Sequence, residues 1–162
     1  MTKLMKRSVM LFTVIVAVSN TYAQVPKATP EIDFVVMGGN DCPPCVAWRA
    51  LELPKLKTAA EFNAIRFSYV FKAIRSAVPS SIFFPENLKP YRDKLMTASG
   101  GRGGSPQAAI LVNGEVYDYY YGTRSSEDIL AMLASIQKGT SYPFNRCLKI
   151  RANSRDCEIN AS

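Results

Sequence analysis

Residues 32–46 read IDFVVMGGNDCPPCV. Ile32 to Met37 is an apolar, β-branched run that stops at Gly38-Gly39, the pattern of a buried strand entering a loop. Two cysteines follow with only Pro43 and Pro44 between them. Each proline pushes the residue before it out of the helical region. A helix therefore begins near Pro44, where a missing N–H costs nothing. Cys45 falls in its first turn. Cys42 stands at its mouth, facing free N–H groups and the positive end of the helix dipole. That position lowers a thiol pKa and marks Cys42 as a nucleophile, with Cys45 placed to resolve a mixed disulfide. A C-x-x-C pair between a strand and a helix reads as a redox motif.

The chain around this stretch has 162 residues, one domain's worth. Residues 1–23 stand apart from it. Lys3, Lys6 and Arg7 precede an apolar run from Ser8 to Val18, and Thr21-Tyr22-Ala23 offers a small-residue cut before Gln24. This is the pattern of a secretory signal peptide, so the protein is expected to be periplasmic or secreted. The run is too short for the ~20 apolar residues of a membrane span. From Gln24 onward the chain holds all 13 acidic residues and 17 of the 20 basic ones, a net charge of +4. No basic run interleaves with aromatics, which argues against nucleic acid as a partner. A monomer without a stable membrane span is expected. The chain has no histidine. That excludes Cys-His and Ser-His catalysis and histidine metal sites. Four cysteines in an exported chain permit disulfides, which can pair in three ways.

Downstream, Val46, Ala47, Ala50, Leu51 and Leu53 suit a buried helical face, and Pro54 breaks the helix. A second helical piece follows, then a strand over residues 65–71. Residues 72–104 are the least legible, with three prolines, an Ile82-Phe83-Phe84 run in which Phe83 and Phe84 read as core, and a helix near 88–96. Ala108 to Val112, Asn113-Gly114 and Glu115 to Tyr121 read as a hairpin with a type I′ turn. Ser125 or Ser126 caps a last helix that Gly139 ends. Trp48 reads as packing beside the first helix. Cys147 and Cys157 lie in a polar tail, residues 138–162, and read as a structural clamp, with a second redox pair as the alternative.

Cys42-Pro43-Pro44-Cys45 resembles the active-site motif of the thioredoxin family. A second match is separate from it: Ser105-Pro106 lies seven residues before Asn113-Gly114, as the family's cis-proline lies before its hairpin turn. The resemblance implies a thioredoxin-like α/β fold over residues 24–137, a central mixed sheet flanked by helices. It implies that Pro106 faces the dithiol and that Ser105 offers its backbone to substrate. It departs in two places. Asp41 stands where the family has tryptophan, and Val36 stands where it has a buried acid.

The function expected is a thiol–disulfide oxidoreductase acting on protein thiols and disulfides, needing no organic cofactor because the disulfide carries the electrons. Pro43 and Pro44 remove N–H groups from Cys42, and Asp41 sets negative charge beside it, so a reducing role fed by a membrane electron donor is expected. Two other readings stay open: a non-catalytic adaptor on the same fold, and a Cu(I) carrier using the two thiolates with help from Met37 and Met96.

Overall fold

The computed structural model describes residues 29–152 and 156–158. Residues 1–23, expected from their pattern to be a signal peptide, lie outside the described residues. Strand β1 (Ile32–Gly38) is buried along its whole length. It pairs in parallel with β2 (Arg66–Phe71) on one side and antiparallel with β3 (Gln107–Val112) on the other. Strand β4 (Glu115–Tyr121) completes the order β2-β1-β3-β4. The β3–β4 turn is built on Asn113 and Gly114, with φ of 51° and 79°. Two successive positive φ angles are what a type I′ turn needs, and Asn-Gly is the pair that tolerates them best.

Helix α1 (Pro43–Leu51) follows the β1 loop, and Cys42 is its N-cap in extended conformation. Pro54 does break the helical run, at the second position of α2 (Leu53–Lys57); α3 (Ala60–Asn63) follows. The buried face of α1 is not the one expected. Val46 and Leu51 are exposed, and the helix turns Cys45 and Trp48 inward instead. The two prolines fix where the first turn starts, and that start sets the phase of every later residue.

The alternation of β1 sends its side chains to two cores. Phe34 and Val36 meet Trp48, Leu56 and Phe62 from α1–α3, and Ile129, Met132 and Leu133 from α5 (Ser126–Lys138). Helix α5 is capped by the Ser125 hydroxyl, which accepts the Asp128 N–H at 3.1 Å, and it ends at Gly139 with φ of 65°. Phe34, Phe62 and Phe67 stack with centroids 5.1 to 6.4 Å apart. Losing one such buried ring costs about 3–5 kcal/mol.

On the other face, Val35 and Met37 meet Leu88, Leu95 and Ala98. The helix expected near 88–96 is a 3-10 segment, Glu86–Tyr91, that runs into α4 (Arg92–Ala98). Pro90 inside the first piece explains the tighter turn. Phe84 is buried here, but Ile82 and Phe83 are exposed, so the expectation of a buried Phe83 is corrected.

The segment after α5 wraps from one face to the other rather than trailing: Tyr142 and Phe144 pack against the first core before it reaches the second. Cys147 and Ile150 are buried in this second core. The Tyr119 N–H donates to Cys147 O at 2.7 Å, and the Cys147 N–H donates to the buried Asp118 carboxylate at 2.8 Å. The tail thereby covers the outer edge of β4, which would otherwise offer unpaired backbone groups.

Candidate active site

The Gly39–Asp41 turn delivers the chain from β1 to the N-terminus of α1. Cys42 and Cys45 form a disulfide there, with Cα atoms 5.2 Å apart. The Cys45 N–H points at the Cys42 sulfur, at 3.3 Å. Pro43 and Pro44 occupy the first two helical positions and have no N–H to add. Both cysteines are buried; Cys42 is 0% exposed.

Behind Cys45 lies a small apolar cavity of about 10 Å³, lined by Val36, Trp48, Tyr69, Pro106 and Tyr120 among others. Trp48 packs as expected, and its indole N–H donates to Arg124 O at 3.0 Å. The Ser105–Pro106 peptide is cis, and Pro106 lines this cavity together with Cys45. The four-stranded order, the cysteine pair at the mouth of α1 and the proline in the same cavity are now in place. The fold is thioredoxin-like.

No family model and no curated protein matches the chain. Among solved structures, it is similar to a thioredoxin-fold protein from Helicobacter pylori, at 14% identity and a TM-score of 0.44, over 67% of this chain and 70% of that one. On its thioredoxin-like fold the chain carries a redox-capable cysteine pair, the arrangement of a thiol–disulfide oxidoreductase.

The surroundings of Cys42 differ from the sequence expectation in one respect. Asp41 does stand beside it, but the carboxylate accepts the Ile74 N–H at 2.9 Å and faces the Lys72 ammonium. Lys72 is buried, and its amine donates to the carbonyls of Ser76 and Gly104, both at 2.6 Å. Burial holds that ammonium down at about 8, with Asp41 pulling it back up. Lys72 therefore ties the loop after β2 to the loop before Pro106, and offsets the charge of Asp41. Sequence inspection missed it because its partners are backbone carbonyls at residues 76 and 104, which no spacing rule connects. The Arg102 guanidinium donates to Ala152 O at 2.9 Å.

An open groove of about 660 Å³ runs beside Asp41, lined by Phe71, Lys72, Pro79, Ser80 and Phe83. Phe71 and Phe83 are both exposed in it. The Ser105 hydroxyl is buried and without a hydrogen-bond partner. Cys147 and Cys157 form a second disulfide, Cα atoms 5.4 Å apart. Its Cys147 belongs to the core under β4, on the face of the sheet away from the Cys45 cavity. Met37 and Met96 pack on that far face too, so the structure does not bring either methionine to the dithiol.

Proposed function

We propose that the protein is an exported thiol–disulfide oxidoreductase that reduces disulfides in protein substrates. Cys42 attacks a substrate disulfide, Cys45 then attacks the Cys42 sulfur, and the substrate leaves with both thiols. Ser105 and Pro106 present their backbone to the substrate chain. The observation that carries the direction is the poverty of donors at Cys42. A strong oxidant depends on a very stable thiolate. Here the Cys45 N–H serves that sulfur, while two prolines withhold theirs. Asp41 adds less than its position promises, since Lys72 faces it. The apolar groove holding Phe71 and Phe83, next to Asp41, supports a polypeptide as substrate, because exposed apolar side chains lining one groove beside a reactive pair suit a docking chain.

A reductase in an oxidising compartment must be recharged, so a membrane electron donor belongs to this reading. The signal-like pattern of residues 1–23 supports the compartment. Equilibration with glutathione at graded ratios tests the direction. A reduction potential near or below about −200 mV is expected, and one near −120 mV would reverse the assignment. Turnover on a disulfide-bonded protein tests the activity: Cys42→Ser should abolish it.

A further inference from the structure

Gly38 ends β1, and its missing side chain leaves a space that two other residues face. A methyl group there would lie 2.6 Å from the Cys45 sulfur and 2.7 Å from the Tyr69 hydroxyl oxygen. Sulfur and oxygen are therefore no farther apart than those two lengths together. Tyr69 is the parallel-strand partner of Val36, and both line the cavity behind Cys45. Since Val36 is apolar, no carboxylate stands at that level of β1.

The Tyr69 hydroxyl is buried and has no hydrogen-bond partner. An orphaned buried donor is expensive to keep. The groups stacked on its ring do not relieve it. The Arg49 guanidinium from α1 lies 5.0 Å over the ring and has no acceptor to offer. The Phe71 ring, 5.1 Å away, is apolar. The Trp48 N–H is committed to Arg124 O, and Arg124 itself stacks on Tyr120 across the cavity. The Cys45 sulfur faces the same space at Gly38, and it becomes a strong acceptor only when the disulfide opens.

We infer that the Tyr69 hydroxyl is the hydrogen-bond donor that stabilises the Cys45 thiolate during thiol–disulfide exchange. The inference rests on the redox reading above. When a reductant thiolate attacks the Cys42 sulfur, a new S–S bond forms there and the Cys42–Cys45 bond breaks. Its electron pair stays on the Cys45 sulfur, where Tyr69 donates to it. In the resolving step, the Cys45 thiolate returns a pair to the Cys42 sulfur, the mixed disulfide with substrate breaks, and the departing thiolate takes its proton from water. Burial pushes the Tyr69 phenol up from its ordinary value, with Arg49 pulling partly back, so it keeps its proton and acts as donor throughout. The Tyr120 phenol is likewise held neutral by burial.

Tyr69→Phe removes one oxygen and keeps the packing. In a Cys42→Ser background, ultraviolet absorbance of the thiolate follows the Cys45 titration, and Tyr69→Phe should raise its pKa by about one unit. The matching Cys42 titration, in a Cys45→Ser background, should not move. With both cysteines present, and at a pH above the Cys45 titration, the equilibrium with glutathione should shift about tenfold toward the disulfide, about 30 mV more negative. Thermal unfolding of the oxidised protein should be unchanged or improved, because the orphan is gone. An unmoved Cys45 titration, equal shifts at both cysteines, or a less stable oxidised form would each overturn the assignment. None of these readings needs turnover, so they stand or fall apart from the proposed activity.

Discussion

Gly38→Ala is a small perturbation with a directional consequence. Gly38 lies in a strand, so alanine meets no backbone penalty. The added methyl would sit 2.6 Å from the Cys45 sulfur. Ordinary non-bonded contacts of this kind lie near 3.5–4.0 Å, so something must retreat by about 1 Å. Overpacking of a well-filled interior costs about 1–3 kcal/mol. In the oxidised protein the Cys45 sulfur is bonded to Cys42 and cannot rotate away. In the reduced protein it can turn about its Cα–Cβ bond. The clash with the Tyr69 hydroxyl, 2.7 Å from the same methyl, weighs on both forms, while the strain borne by the sulfur falls on the disulfide form. If that strain is about 2 kcal/mol, the potential rises by about 40 mV, because 30 mV corresponds to about 1.4 kcal/mol for a two-electron couple. Glutathione equilibration measures that shift. Denaturant unfolding of each form measures the same difference by a second path, since the two sides of the cycle must agree. Equal destabilisation of both forms, with the potential unmoved, would refute the reasoning; so would a potential that falls.

Other substitutions probe the rest of the molecule. Asp118 is buried and accepts from the Cys147 N–H and the Tyr142 hydroxyl, each at 2.8 Å; Asp118→Ala orphans both donors and should cost about 3 kcal/mol by urea unfolding, with Asp118→Asn costing less. Cys157→Ser opens a bridge spanning 10 positions; it should cost roughly 2–3 kcal/mol and leave the potential of the Cys42–Cys45 pair unchanged. The Glu52 carboxylate accepts the Ser126 N–H at 2.8 Å at the start of α5, and that bond, with help from Lys55, holds its pKa at about 2 against an ordinary 4.5. Between those values the unfolded chain binds more protons than the folded one, so the stability Glu52 contributes is complete above about pH 4.5 and is lost as pH falls toward 2. Unfolding curves of Glu52→Gln against the parent should converge at the acid end of that window.

The strands were legible because their signals are local. The apolar run at residues 32–37 and the Asn113-Gly114 turn each declare themselves within a few residues, and the observed strands match to within one position. The dithiol was legible for the same reason: two prolines restrict the backbone on the spot. What failed was phase and distance. The inward face of α1 depends on where the prolines start the first turn, and a shift of one residue rotates every side chain by 100°. Between residues 72 and 104 the order comes from ties such as Lys72 to Gly104, which span more than thirty residues and leave no periodic trace. The tail looked polar because few of its residues are apolar; Tyr142 and Phe144 on one core and Cys147 and Ile150 on the other seat it.

The closure of the site around Cys42 has a consequence for timing. Displacement at a disulfide needs the incoming sulfur in line behind the one it attacks, and water does not reach the Cys42 sulfur in the oxidised protein. A small thiol gains nothing from its size; it must wait for the site to open. A docking polypeptide can drive that opening with the contacts it makes. Under the proposed function, the disulfide is then insulated kinetically from a surrounding pool of small thiols, and its oxidation state records the last polypeptide that docked rather than the average of its medium.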